Sequence, residues 1–219
     1  MPLCRWNRIL NIAIVLIVAF PLCFLPGGCS TAEKLSESEA VKVSRPFIFS
    51  PAFEKEVYKS DMIIYGNELS GLMVMKKTPS GFRVVFLSEL GLKYFDMEFL
   101  MAENEVKVHF INSMLDRKPV REKLKSGLQL IFMMHHPKAN YEFYRDSGVN
   151  SMIMLVKHRR QKSFYTYDRH FGFVNHIRYK RRSEVVAVSL SNYDGTHPGT
   201  IRFNQPHLSY SLQKLETTD

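Results

Sequence analysis

The chain has 219 residues, 45% of them hydrophobic and 23% charged, which excludes a disordered polymer and leaves room for a domain with its own core. The formal net charge of +9 at pH 7 favours acidic partners: anionic lipid head groups, acidic polymers or acidic proteins. Three cysteines are too few for a disulfide framework.

In chain order, Arg5 and Arg8 precede an apolar run from Ile9 to Leu25 that only Asn11 interrupts. Pro26-Gly27-Gly28-Cys29 follows, and from Ser30 the chain turns polar. That order predicts an export signal over residues 1–28. Its end resembles a lipobox, with Pro26 where the usual pattern has an aliphatic residue and Leu25 one position early. The resemblance implies lipid attachment at Cys29. The alternative is an uncleaved anchor, since the run is about the minimum length of a span, roughly 17 residues. Either one places an end of the chain at a membrane. Cys4 and Cys23 fall inside the signal, so the exported part keeps only Cys29 and forms no internal disulfide. An exported protein seldom meets nucleic acid, so none is expected as a partner.

Residues 29–46 read as a flexible tether, short of large apolar side chains and rich in Ser, Glu and Lys. The folded domain is expected over 47–219, with Phe47, Phe49 and Phe53 spaced to dock its first segment on the core. Strands are predicted over 58–67, 70–77 and 82–87, with Thr78-Pro79-Ser80-Gly81 as a turn. Phe95, Met97, Phe99 and Met101 alternate with Asp96, Glu98 and Leu100, and Val106, Val108 and Phe110 alternate with Lys107 and His109. Such alternation gives each strand one dry and one wet face. A helix is predicted over 119–132: Pro119 suits the first turn, and Val120, Leu124, Leu128 and Ile131 form one apolar stripe that Gly127 weakens slightly. Strands resume over 151–156, 163–167, 173–180, 184–190, 201–203 and 207–212. The order strands, helix, strands predicts a mainly β protein with one firm helix: a half-open, unclosed antiparallel β-barrel covered by that helix.

The stretches Tyr65-Gly-Asn-Glu-Leu-Ser-Gly71, Leu72-Met-Val-Met-Lys-Lys77, Phe82-Arg-Val-Val-Phe-Leu-Ser-Glu-Leu-Gly91 and Lys93-Tyr-Phe-Asp-Met-Glu-Phe99 resemble the LolA/LolB-like lipoproteins of the bacterial envelope, in particular a branch found in Bacteroidetes-type bacteria. The similarity spans roughly residues 53–215 and is clearest over 58–132. It implies an unclosed antiparallel barrel with a helical lid and an apolar cavity, and a role in carrying or accepting the acyl chains of lipoproteins on their way to the outer membrane. With its own lipobox, the chain looks like the anchored acceptor rather than the soluble carrier. Ser30 stands where enterobacterial lipoproteins held at the inner membrane have Asp, so the resemblance implies the outer membrane, periplasmic face. No exposed apolar loop of the kind the acceptor uses at the bilayer is recognisable.

Two sets of candidates follow. Met73, Met75, Phe95, Met97, Phe99, Val106, Val108, Phe110, Leu124 and Leu128 are the expected wall of a lipid cavity, or equally an ordinary core beneath the helix. Methionine, unbranched and polarisable, suits an adaptable lining. Lys157, Arg159, Arg160, Arg178, Lys180, Arg181 and Arg182 sit at hairpin tips and offer an anionic surface a docking end, or else protect strand edges. No histidines share metal-ligand spacing on one element, so a zinc site would need tertiary placement and none is expected. Gly-x-Ser-x-Gly, HExxH and a glycine-rich phosphate loop are all missing, and Asp96 and Glu98 read as a solvated face, so neither catalysis nor a cofactor is expected. The functional alternatives are an acyl-chain or lipoprotein binder and a non-catalytic adaptor that docks an acidic partner.

Overall fold

The computed structural model describes residues 32–40, 45–146 and 150–215. The expected signal segment, residues 1–28, and Cys29 lie outside the described residues. The elements in chain order are β1 (Ala32–Lys34), α1 (Glu37–Ala40), β2 (Lys55–Ile64), β3 (Asn67–Thr78), β4 (Gly81–Leu87), β5 (Lys93–Leu100), β6 (Glu105–Ile111), α2 (Lys118–Ile131), β7 (Asn140–Asp146), β8 (Ser151–His158), β9 (Gln161–Asp168), β10 (Val174–Arg181), β11 (Glu184–Tyr193), β12 (Pro198–Gln205) and β13 (Leu208–Lys214).

All the strands join one antiparallel sheet of 13 in the order β1-β7-β8-β9-β10-β11-β12-β13-β2-β3-β4-β5-β6. Two meanders, β2–β6 and β7–β13, are fused where β13 pairs with β2. The sheet does not close, since β6 lies at one edge and β1 at the other. The topology also explains the cover. Residues 112–139 link β6 to β7, which lie near opposite edges of the sheet, so the link must cross between them. It crosses over the apolar face, and α2 is its middle.

Tight turns set the register. Five hairpins carry two-residue loops, at 65–66, 79–80, 159–160, 182–183 and 206–207, between the directly paired residues Ile64 and Asn67, Thr78 and Gly81, His158 and Gln161, Arg181 and Glu184, and Gln205 and Leu208. Tyr65, Arg159 and Arg182 have positive φ at the first turn position, the conformation that matches such turns to the twist of the strands, while the Pro206-His207 turn has it at the second position only. Because the side-chain period is two, this register sends one set of side chains inward throughout. Met62, Ile64, Met73, Met75, Val84, Phe86, Phe95, Met97, Phe99, Ile177, Val188, Ile201, Phe203 and Leu212 lie in one buried cluster.

On α2 the buried residues are Val120, Leu124, Gly127, Leu128, Leu130 and Ile131, the predicted stripe. Gly127 does more than weaken the helix. A Cβ there would sit 2.9 Å from the tip of the Phe203 ring, which is itself stacked 4.6 Å from Tyr210. The missing side chain lets α2 settle onto that ring.

Three expectations change. Residues 32–35, read as tether, are docked: β1 pairs with β7, the Leu35 N–H donates to the Phe143 carbonyl at 2.9 Å, and Leu35 is buried. Ser36 then precedes α1, its N–H and hydroxyl both donating to the Glu39 carboxylate, at 3.1 and 2.7 Å. Asn140–Asp146, assigned no element from the sequence, forms β7.

Asp96 is the third change. Read as solvated, it is 2% exposed on the convex side of the sheet. Arg83 binds both carboxylate oxygens, at 2.9 and 3.0 Å, and Lys93 adds a contact at 3.1 Å. The Arg83 hydrogen bonds hold its pKa below the ordinary carboxylate range, against the opposing effect of burial. A depressed carboxyl contributes stability above the pKa it has in the unfolded chain, about 4, and loses it as pH falls through the lower folded value. Asp96→Asn is therefore expected to melt lower than wild type at pH 7. The gap should close as pH drops below about 4, followed by circular dichroism melts across pH. A gap that stays constant with pH would show that Asp96 acts through packing alone.

Candidate lipid-binding face and basic end

Most of the expected cavity wall converges. Met73 and Met75 on β3 and Phe95, Met97 and Phe99 on β5 are completely buried, and Leu124 and Leu128 of α2, at 1% exposure, belong to the same buried cluster. Val106 and Val108 on β6 are half-buried and pack against the same cluster.

Phe110 does not join them. It is 43% exposed. Val108 pairs with Met97 but Phe110 pairs with Asp96, so His109 is an extra residue in β6. A bulge of one residue flips every side chain beyond it. Phe110 therefore turns to the convex side, where the Lys93 ammonium lies 5.8 Å from its ring centre, and Ile111 turns inward instead.

The space at the end of α2 is filled by an aromatic group that the sequence did not single out as one. Phe132 stacks on Phe82 at 4.5 Å and meets Phe99 at 5.0 Å and Phe49 at 5.6 Å. Phe53 completes it, 4.7 Å from Phe49. Phe49 and Phe53 do dock the domain's first segment as expected, while Phe47 packs on Phe173 at the far side. The signal for Phe132 was its place one residue beyond the helical stripe.

Two clefts of about 250 Å³ each flank α2. One lies near its start, between Ile64, Tyr65, Met114, Leu115, Pro119 and Val120. The other lies along its second half against the tips of β8–β11 and is lined by Glu122, Gln129, His135, His136, His158 and Arg181 among others. Neither is lined by any residue of the expected cavity wall. Burial drives the His135 pKa down to about 4, so this ring stays neutral at physiological pH. His136 lies flat on His158, ring centres 3.9 Å apart.

Part of the expected basic set lies beside that second cleft. β9 pairs with β10 so that Gln161 faces Arg181, which makes the 159–160 and 182–183 turns neighbours. Arg181 lines the cleft, and Arg159, Arg160 and Arg182 are exposed at the two turns, whereas Arg178 and Lys180 are exposed on the other face of β10, alternating with Ile177 and Tyr179. Lys157 departs from the expectation, because its ammonium is engaged by Glu142 of β7 at 2.8 Å. That bond, with one from the Tyr144 hydroxyl, holds the Glu142 carboxyl down at about 2.

Comparison with models of known protein families finds no match, and comparison with curated proteins finds none either.

Proposed function

We propose that the chain is a lipid-anchored protein of the bacterial cell envelope, at the periplasmic face of the outer membrane, that binds acyl chains or lipoproteins through their acyl chains. The ligand lies on the concave face of the open sheet, and α2 is the cover it displaces. One observation carries this reading: the inward face of an unclosed sheet is apolar across both meanders, and α2 is the principal element laid over it.

Magnitudes support an exchange. Val120, Leu124, Leu128 and Ile131 are the buried stripe of α2. At roughly 1.5–3 kcal/mol each they hold the cover with about 6–12 kcal/mol. A hydrocarbon tail brings about 0.8 kcal/mol per buried methylene, so some twelve methylenes bring about 10 kcal/mol. The two are close enough that tail and helix can trade places. The polar ties of α2 to the sheet are few: Lys123 to Glu184 at 2.9 Å, and the Tyr165 hydroxyl donating to the Leu130 carbonyl at 3.3 Å. Methionines Met62, Met73, Met75 and Met97 give the face a lining that can re-pack. The lipobox-like end at Cys29 supports the anchor.

The reading predicts that a chain starting at residue 29 takes up a fluorescent fatty acid saturably, close to one per chain. Fluorescence titration checks this, and purely linear partitioning would contradict it. A second reading, a non-catalytic adaptor docking an acidic partner through the basic end, is favoured by the aromatic filling around Phe132 and the exposed cations Arg159, Arg160, Arg181 and Arg182 at the neighbouring turns. It predicts no uptake.

A further inference from the structure

Away from the concave face, β2, the turn between β11 and β12, and the end of β13 bring four charged or titratable side chains together. His197 Nε2 lies 2.9 Å from Glu56 Oε2 and 3.2 Å from Asp194 Oδ2. Lys214 Nζ lies 3.2 Å and 2.9 Å from the same two oxygens. The other carboxylate oxygens are already used. Asp194 Oδ1 accepts from the backbone N–H groups of Thr196 and His197 and from the Thr196 hydroxyl, while Glu56 Oε1 accepts from the Val57 N–H. The remaining oxygen of each carboxylate, held by Lys214, thus points at the same space as the His197 ring.

His197 is what makes this more than an ion-pair cluster. Its side chain is 6% exposed, seated on Phe53 and Tyr58 at ring distances of 5.4 and 6.3 Å. Nδ1 lies 2.6 Å from the Thr196 hydroxyl oxygen, which is also 2.8 Å from Asp194 Oδ1. A hydroxyl has one proton, and the carboxylate is the stronger acceptor for it. Nδ1 then carries the ring proton and donates to Thr196, leaving a lone pair on Nε2. Nε2 is buried and makes no hydrogen bond. The two carboxylate oxygens flank its axis instead of lying along it, as ligands around a shared cation do.

We propose that Glu56, Asp194 and His197 form a binding site for one divalent cation of the zinc class, with Lys214 as a built-in competitor that occupies the carboxylates when the metal is away. A mixed nitrogen and oxygen set suits zinc better than magnesium or calcium. Ligands at about 2.1 Å in a tetrahedron stand about 3.4 Å apart, close to the spacings already present, and all three ligand atoms lie within 4.8 Å of one another. The fourth position is left to water. Thr196 fixes the ring tautomer from behind, the usual task of a hydrogen-bond partner to a ligating histidine. The Lys214 side chain is 31% exposed, so its ammonium can move into solvent when the metal enters. Bound metal would clamp β2 to the β11–β12 turn.

The test is calorimetric titration of the purified full-length chain, stripped with chelator, with zinc chloride alone. His197→Asn should bind one ion fewer than wild type, and Lys214→Met should bind that ion at least about tenfold more tightly. Magnesium chloride at the same concentrations should give no comparable heat. The proposal is overturned if His197→Asn binds as many ions as wild type, or if Lys214→Met leaves zinc affinity unchanged. Lys214→Met keeps the ligands intact, so it decides the matter even if His197→Asn folds poorly.

Discussion

Phe132→Ala is expected to lower unfolding stability by about 3–5 kcal/mol and, at the same time, to strengthen uptake of fatty acid. The ring is 4% exposed and touches Phe49, Phe82 and Phe99, so its loss forfeits transfer energy and leaves a cavity that its aromatic neighbours cannot wholly fill. The cavity opens at the end of α2, between the helix and the concave face. If that face receives hydrocarbon, a tail will enter the new space, and binding to the folded state will return part of the lost stability by mass action. Urea unfolding of the variant with and without fatty acid measures both effects. Stability lost and not recovered at any fatty acid concentration would favour the adaptor.

Gly71→Ala is expected to cost about 3 kcal/mol or more, the largest effect of any glycine-to-alanine change at a strand centre here. Gly71 lies on β3 opposite Ser60 of β2, at φ +155°. A Cβ there would stand 1.9 Å from the Leu87 carbonyl oxygen and 2.9 Å from the Leu87 carbonyl carbon and Ser88 Cα. These are backbone atoms next to the irregular register at Phe86 and Leu87, so relief requires β4 to move. Gly66 is the control. Its φ is +82° but a Cβ would meet nothing within 4 Å, so Gly66→Ala should cost only about 1 kcal/mol, from backbone conformation alone. Denaturant midpoints of the two variants separate steric from conformational cost, and similar midpoints would contradict this account of Gly71.

What the sequence made legible was whatever a short period could carry. Alternation marked β5 and the first half of β6, and the three- and four-residue spacing from Val120 to Ile131 marked α2. β7 escaped because none of its side chains is fully buried: Tyr141 is exposed and Glu142, Phe143 and Tyr144 are half-buried on both faces, so they show no wet-dry rhythm. β1 escaped because three polar-flanked residues gain strand structure only from a partner, Arg145 opposite Glu33, more than a hundred positions away. The bulge at His109 has no composition signal, and it alone moved Phe110 off the wall. Asp96 is dry because Arg83 crosses from the neighbouring strand, a matter of register rather than pattern. The cluster of Glu56, Asp194 and His197 joins segments from both meanders and could not be read from spacing at all. The basic end was legible because hairpins fold locally, whereas the engagement of Lys157 by Glu142 was not.

Hydrogen exchange across residues 118–131, with and without saturating oleate, tests most directly whether α2 is a cover that hydrocarbon displaces. Amides of α2 are expected to exchange faster when oleate is bound, while those of β8 and β9 keep their protection. Unchanged protection of α2 with oleate bound, or no binding of oleate at all, would contradict the displacement of the helix by an acyl chain.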